Sequence, residues 1–428
     1  MTKLKLHWQI LIAILLAVGV GFAVGTETGV FGIPFYDMFD FVGTLFLNAL
    51  KMIIVPLVMS SIIVGVSGLG ASDDLGRLGG KTIGFYMVSS LFAILVGLLF
   101  VNVMEPGIID GQPAGDRLNL SSPEEVSGEL AKVQGRDASD ITEVFLRMVP
   151  PNIVSAAAEG QMLGLIFFSL LFGFFMVRTK KEHADIMQTF WGAAFETMMQ
   201  FTMFVMKFAP IGVFGLVAKT VAATGFDAFK PLLIFFITVV LALGFHTFVT
   251  LPLVLKFVAR VNPMNHFRAM SPAMLTAFST ASSSATLPLT MECVEKNAKV
   301  SNKTTAFVLP LGATINMDGT ALYECVAAMF IAQAYGLDLT LGTQFSIVFV
   351  ALLTSVGVAG IPSASLVAIA VILGVIGLPL EGIGMLLVTD RILDMARTAV
   401  NVFSDSCCAV FVAKSEGEEQ VLVDRPAL

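Results

Sequence analysis

Thr280-Ala281-Ser282-Ser283-Ser284-Ala285-Thr286-Leu287-Pro288 and Gly357-Val358-Ala359-Gly360-Ile361-Pro362-Ser363-Ala364-Ser365 are two stretches of small residues around a proline. Each interrupts an otherwise apolar segment, 263–293 for the first and 341–379 for the second. Proline removes a backbone donor, so neither segment reads as one uninterrupted helix. The alternative is two separate spanning helices with small-residue packing faces. Each segment is long enough for two half-membrane arms around a tip, and the repetition of the pattern favours a re-entrant hairpin. Paired interruptions at corresponding positions point to an inverted repeat with a binding site at its interface.

The rest of the chain fits that reading. Of 428 residues, 56% are hydrophobic and 13% charged, with 36 Phe and 38 Gly. A soluble domain carries about 25% charged residues, so the chain falls among polytopic membrane proteins. Charge-free runs at Trp8–Gly25, Met52–Ser72, Thr82–Met104, Gln161–Val177 and Pro231–Leu255 can each cross a bilayer core of about 30 Å. The first follows a basic start but leads to no clear cleavage site, so it reads as a transmembrane helix and not a signal peptide. Lys and Arg cluster at Lys3/Lys5, Arg77/Lys81, Arg178/Lys180/Lys181, Lys256/Arg260/Arg268 and Lys296/Lys299/Lys303, which places those loops in the cytoplasm. The acidic segment Glu105–Asp140 falls outside. Alternation predicts a cytoplasmic N-terminus and crossings near 8–26, 39–70, 80–104, 141–178, 184–221 and 226–258. The polar tail Lys414–Leu428 is expected to be cytoplasmic, solvated and disordered. Nucleic-acid binding has no support in this charge distribution.

The last helix carries Asp390, Arg391, Asp394, Arg397, Thr398, Asn401 and Asp405. One charge at a helix centre costs roughly 2.5–3.5 kcal/mol on the insertion scale, which rules out a lipid-facing helix. At 100° per residue, all of these but Arg391 fall in one stripe about 100° wide. They face a shared protein interior or aqueous cavity. A simple Asp394–Arg397 pair leaves Thr398, Asn401 and Asp405 unexplained. In the preceding helix, Gly312 and Gly319 flank Asn316-Met317-Asp318. Local unwinding there exposes carbonyls beside two side-chain oxygen donors, a hard-oxygen set suited to a hard cation. A monovalent ion fits better than calcium, which gathers more carboxylates. A plain helix kink with a capping Asp is the other reading. The four cysteines read as buried small hydrophobes, and the four histidines as scattered near segment ends, none in the core.

Asn316-Met317-Asp318-Gly319-Thr320, the serine-rich Ser282–Pro288 and the run Asp394–Asp405 resemble the glutamate transporter family of excitatory amino acid transporters and prokaryotic sodium-coupled relatives. The likeness spans nearly the whole chain. It implies an all-α membrane protein with eight transmembrane helices and two re-entrant hairpins in inverted repeats, working as an elevator-type sodium-coupled, and also proton-coupled, symporter of L-glutamate or L-aspartate. The implied scaffold is 1–70 and 141–221, assembled as a homotrimer. The implied transport domain is 80–104 with 226–415, holding hairpins 263–293 and 341–379, and 416–428 is the tail. The implied setting is the inner (plasma) membrane with both termini cytoplasmic and no organic cofactor.

Carried over by that resemblance, Ser282, Ser283 and Ile361 would hold the α-carboxylate with Asn401, and Asp394 the amine. Thr320 and Thr398 would orient the ligand, and Arg397 would clamp the side-chain carboxylate. One Na+ would use Gly312, Asn316, Asn401 and Asp405. A second would use Thr314, Ser355, Val356 and Val358 near Met317, and a third Tyr86, Ser89, Ser90, Asn316 and Asp318. Glu324, one turn beyond Thr320, is the expected proton carrier, against the alternative of a permanent pair with a neighbouring Arg or Lys. Archaeal relatives have Arg where this chain has Ala281, and animal relatives have Arg where it has Met395, so Arg391 is a candidate to neutralise Asp394. Ser365 replaces a common Gly. Rival readings are an intramembrane protease, which needs a paired aspartate or a serine with a base, and an ion channel. Arg397 in the stripe argues for a carboxylate substrate, and an enzyme is not expected.

Overall fold

The computed structural model describes residues 6–67, 73–118, 120, 146, 149–158, 162–224, 229–337, 339–355, 364–379 and 382–423. They are mostly helical. Two short β-hairpins, Gly29–Val30 with Ile33–Pro34 and Ile108–Ile109 with Gln112–Pro113, turn the chain between helices. The first half builds α1 (Leu6–Val24), α2 (Phe35–Ser67), α3 (Asp73–Met104), α4 (Ile153–Ala158), α5 (Met162–Met176), α6 (Lys181–Met206) and α7 (Ala209–Thr224). Arg77–Met104 and Phe229–Phe257 are each long and apolar enough to cross a membrane unaided.

Where one crossing was expected over 184–221, the chain forms α6 and α7, broken at Lys207-Phe208. Pro210 lacks the N–H that would continue the ladder, and tight turns from Lys207 to Phe204 and Phe208 to Val205 take its place. The next helix, α8 (Phe229–Phe245), passes through a π-turn at His246–Thr250 into α9 (Leu251–Phe257). There the Leu251 N–H bonds to the His246 carbonyl, five residues back, because Pro252 offers no donor beside it.

The first interrupted segment forms a hairpin of α10 (Pro263–Thr280) and α11 (Ser283–Glu292), which pack on each other. The Asn262 side chain caps α10 by accepting from Met264 N. At the tip, Ala281 is left-handed (φ 49°), and the Ser282 hydroxyl accepts from Ala285 N at 3.2 Å to start α11. Together they reverse the chain in two residues. After α12 (Asn302–Ile315) and α13 (Asp318–Ala334), the second interrupted segment gives α14 (Leu341–Ser355) packed on α15 (Ala364–Ile376). Its expected tip, 356–363, lies outside the described residues. α16 (Ile383–Ser415) closes the fold.

α1 and α2 lie on α7, and α2 also packs on α5 and α6. α13 lies on α3, and α16 runs past α10, α12 and α13 and also touches α7. α13 is buried along its whole length, so every polar group it carries needs a partner inside the protein.

The tail departs from expectation. Glu416 pairs with Lys81 at 2.6 Å and with Arg77, both at the start of α3. The Glu418 carboxylate accepts from the Ser301 N–H, Ser301 hydroxyl and Thr304 hydroxyl, each at 2.7 Å. Leu422 N bonds to Ala298 O at 3.0 Å. Residues 416–422 are thus a strap held by specific partners, where composition alone suggested a solvated tail. The acidic residues that made it look solvated are the ones that bind.

Candidate functional site

The break between α12 and α13 organises the site. Asn316 (φ −112°, ψ 107°) and Met317 (φ −133°, ψ 61°) leave the helical region, and the helix resumes at Asp318. The last carbonyls of α12 therefore lose their helical donors and the first N–H groups of α13 their acceptors. Asn401 of α16 takes up one of them: its Oδ1 accepts from Gly319 N at 2.8 Å while its Nδ2 donates to the Thr320 hydroxyl at 3.2 Å. Two glycines permit the close approach. A Cβ at Gly319 would stand 2.8 Å from Arg397 O, and one at Gly312 would stand 2.5 Å from both Asp405 Oδ1 and the Tyr86 hydroxyl. Any side chain at Gly312 would fill the space between those two oxygens.

Asp318 is fully buried. Its carboxylate accepts from the hydroxyls of Ser89, Ser90 (2.8 Å) and Ser404 (2.6 Å), and stands 3.1 Å from His246 Nε2. Asn316 Nδ2 donates to Asp405 Oδ1 at 2.8 Å and to Ser404 at 3.2 Å, while Asn316 Oδ1 has no partner. Tyr86 donates to Val308 O at 2.9 Å. Side-chain oxygens from α3, α12, α13 and α16 thus converge, with one amide oxygen unclaimed. That donor chemistry fits a hard monovalent cation.

These contacts bring together Tyr86, Ser89, Ser90, Gly312, Asn316, Asp318 and Asp405. Asn401 lies in the same layer but turns its oxygen to Gly319 N. Thr314 and Met317 sit at the break and Ser355 ends α14, whereas Val356, Val358 and Ile361 lie outside the described residues. His246 corrects the reading that the core holds no histidine: it and His266 are both fully buried. His246 is 72 residues from Asp318 in the chain, and only the π-turn could have hinted at its role. Ser404, within the expected motif, also went unassigned.

One turn along α16, the Arg397 guanidinium is fully buried. Its Nη2 bonds to Asp390 Oδ1 and Asp394 Oδ1, both at 3.0 Å, and its Cζ lies 3.9 Å from the centre of the Tyr323 ring. Nε and Nη1 have no partner. Asp394 also faces Arg391 Nη1 at 3.4 Å, so Arg397 is the closer of two cations on that carboxylate. Thr398 donates to Asp394 O at 2.7 Å. Ser282 and Ser283 stand at the tip of the first hairpin, and Ser283 is buried. Glu324 is fully buried in α13; its Oε2 accepts from the Thr354 hydroxyl of α14 at 2.9 Å, and Oε1 has no partner. Among the described residues no Arg or Lys pairs with it, so the alternative of a permanent ion pair is not met.

Residues 6–415 match the model of the sodium:dicarboxylate symporter family. The chain belongs to this family. The sodium:dicarboxylate symporters are membrane transporters, and the chain is accordingly a membrane protein. It is 37% identical over 420 residues to a proton/sodium-glutamate symport protein of Geobacillus stearothermophilus, covering 98% of this chain and 96% of that one. It is also 37% identical to the proton/glutamate-aspartate symporter of Escherichia coli K12, covering 97% and 93%. With human excitatory amino acid transporter 3 the identity is 34%, covering 98% and 88%.

Proposed function

We propose that this sodium:dicarboxylate symporter carries L-glutamate and L-aspartate across the inner membrane with sodium, and with a proton on Glu324. The observation that carries the reading is Arg397, a buried guanidinium with two unpartnered nitrogens beside the Asp394 carboxylate. Unmet buried donors are costly, and a planar guanidinium is best matched by a carboxylate. Asp394 complements an ammonium group. A substrate with an amine and a distal carboxylate uses both, whereas a plain dicarboxylate leaves Asp394 opposed to like charge and a neutral amino acid leaves Arg397 unmatched.

Sodium would be the second cargo, held by the oxygens around Asp318 and Asp405 and by the freed carbonyls at the break, in up to three sites. Asn316 and Asn401 stand between the ion layer and the amino-acid layer, so occupancy of one orders the other. Helices α3 and α8 to α16 carry all these groups and would move as one body, as in an elevator, with the interrupted segments as re-entrant hairpins. Helices α1, α2, α5, α6 and α7 would form the fixed scaffold of a homotrimer, with both termini in the cytoplasm. Radiolabelled glutamate and aspartate uptake into proteoliposomes, under imposed sodium, proton and potassium gradients, tests the proposal. Accumulation that follows the sodium gradient is expected; uptake indifferent to sodium would overturn it.

A further inference from the structure

Behind the base of the first hairpin lies a cavity of about 630 Å³, remote from the transport site, between α10, the turn after α11 and the C-terminal strap. Three cations line it: Arg268, Lys296 and Lys299. Lys296 is neutralised by Glu292 at 2.8 Å. Arg268 and Lys299 pair with no carboxylate among the described residues. Of the nearby acids, Glu295 accepts from Asn302, and Glu418 from Ser301 and Thr304. Two cations without a carboxylate partner among the described residues therefore face one concavity, with the side chains of Asn297 and Gln420 on its wall. Lys299 is held there by an unusual backbone: it is left-handed (φ 64°), in the turn where Val300 N reaches back to Val294 O.

We propose that this cavity binds a phosphate ester carried on an organic group. Two cations beside the Gln420 side-chain amide suit an oxyanion. The volume lies within the roughly 300–1,000 Å³ of small-molecule sites, so inorganic phosphate alone would leave most of it unfilled. Leu422 and Val423 supply an apolar wall. Phe257 and Val258, at the end of α9, and Met264, at the start of α10, are exposed apolar side chains. That combination suits either the glycerophosphate head of an anionic lipid or a soluble sugar- or glycerol-phosphate. The strap forms one side of the cavity, so the ligand would also hold the strap in place. None of this depends on the transport reading.

The test is binding to the full-length protein in detergent, by calorimetry, with three probes. These are dihexanoyl phosphatidylglycerol, glycerol 3-phosphate and, as a zwitterionic control, dihexanoyl phosphatidylcholine. Saturable binding of either anionic probe, at least tenfold tighter than the control, is expected. It should weaken at least tenfold in Arg268→Gln/Lys299→Asn, asparagine being chosen because it tolerates the left-handed backbone. Lys303→Gln, on a cation outside the cavity, should bind as the native protein does. Preference for phosphatidylglycerol would assign a lipid source, and preference for glycerol 3-phosphate a soluble one. Binding of neither anionic probe, or binding unchanged in the double variant while its melting temperature matches the native protein, would overturn the site.

Discussion

Asn316 and Asp405 meet across the break between α12 and α13, the amide nitrogen donating to Asp405 Oδ1 at 2.8 Å while the amide oxygen stays unpartnered in a buried layer. The same layer holds Asp318 and the Tyr86 hydroxyl, so replacing one carboxylate subtracts charge from the proposed cation site without removing a packing element. Asp405→Asn should raise the sodium concentration for half-maximal uptake by at least tenfold and leave the thermal midpoint within a few degrees. Sodium dependence indistinguishable from the native protein would remove Asp405 from the ion layer.

Arg397 pairs through Nη2 alone with Asp390 and Asp394 and leaves Nε and Nη1 for a ligand. Without it, a substrate carboxylate would be buried unpaired, at a cost of roughly 3–5 kcal/mol, more than a hundredfold in affinity. Arg397→Cys is expected to lose glutamate and aspartate transport and to take up small neutral amino acids such as serine. Asp390→Asn should weaken acidic substrates less, because Asp390 would act on a ligand only by positioning the guanidinium. Competition assays against labelled substrate check both, and unchanged acidic-substrate affinity in Arg397→Cys would refute the assignment.

These residues differ in how far sequence alone could reveal them. The α16 stripe was legible because helical periodicity sets 390, 394, 397, 398, 401 and 405 on one face. The first interruption was legible because its small residues release the helix at Ala281-Ser282, although Pro288, read as part of the break, lies inside α11. The expected tip of the second falls outside the described residues. His246, Ser404, Tyr323 and Thr354 were not legible, since each acquires its role from a partner on another helix. The strap was misread for a related reason: acidic residues look solvated until their cations are placed.

His246 gives the clearest test of a contact that only the fold supplies. The π-turn aims its Nε2 at the Asp318 carboxylate. Loss of one hydrogen bond to a buried carboxylate costs about 1.5–3 kcal/mol, or roughly ten- to 150-fold. His246→Leu should raise the sodium requirement by that factor, and His246→Gln, which keeps an N–H donor, should recover most of it. Equal behaviour of the two variants would mean that His246 serves packing only.

The strap has its own pH signature. The hydrogen bond from Lys81, with that from Arg77, holds the Glu416 carboxyl below the usual carboxylate range. A group with a depressed folded pKa contributes fully above its unfolded value, about 4.3 for Glu, and loses that contribution as pH falls through the folded value. Protection of the 416–422 amides, measured against their intrinsic exchange rates, should therefore be high and flat from pH 6 to 8. It should fall in Glu416→Gln. Equal exchange in variant and native protein would show that Glu416 does not hold the strap.

Glu324 and Thr354 connect the site helix to the second interrupted segment, with the Thr354 hydroxyl on Oε2 and nothing on Oε1. An ionised carboxylate this deep, without a paired cation, is costly. A neutral acid is tolerated there, and its O–H needs only one acceptor. Binding an anionic amino acid nearby adds to the cost of the ionised form, whereas the empty carrier relieves it, so proton uptake would accompany loading and release would accompany return. Glu324→Gln keeps the shape and a donor but cannot lose a proton. It should retain sodium-dependent exchange of labelled aspartate, lose the pH dependence of net uptake and stop acidifying the proteoliposome lumen. A pH-sensitive dye trapped inside reads the last effect directly. Lumen acidification at the native rate in Glu324→Gln would place the proton on another group.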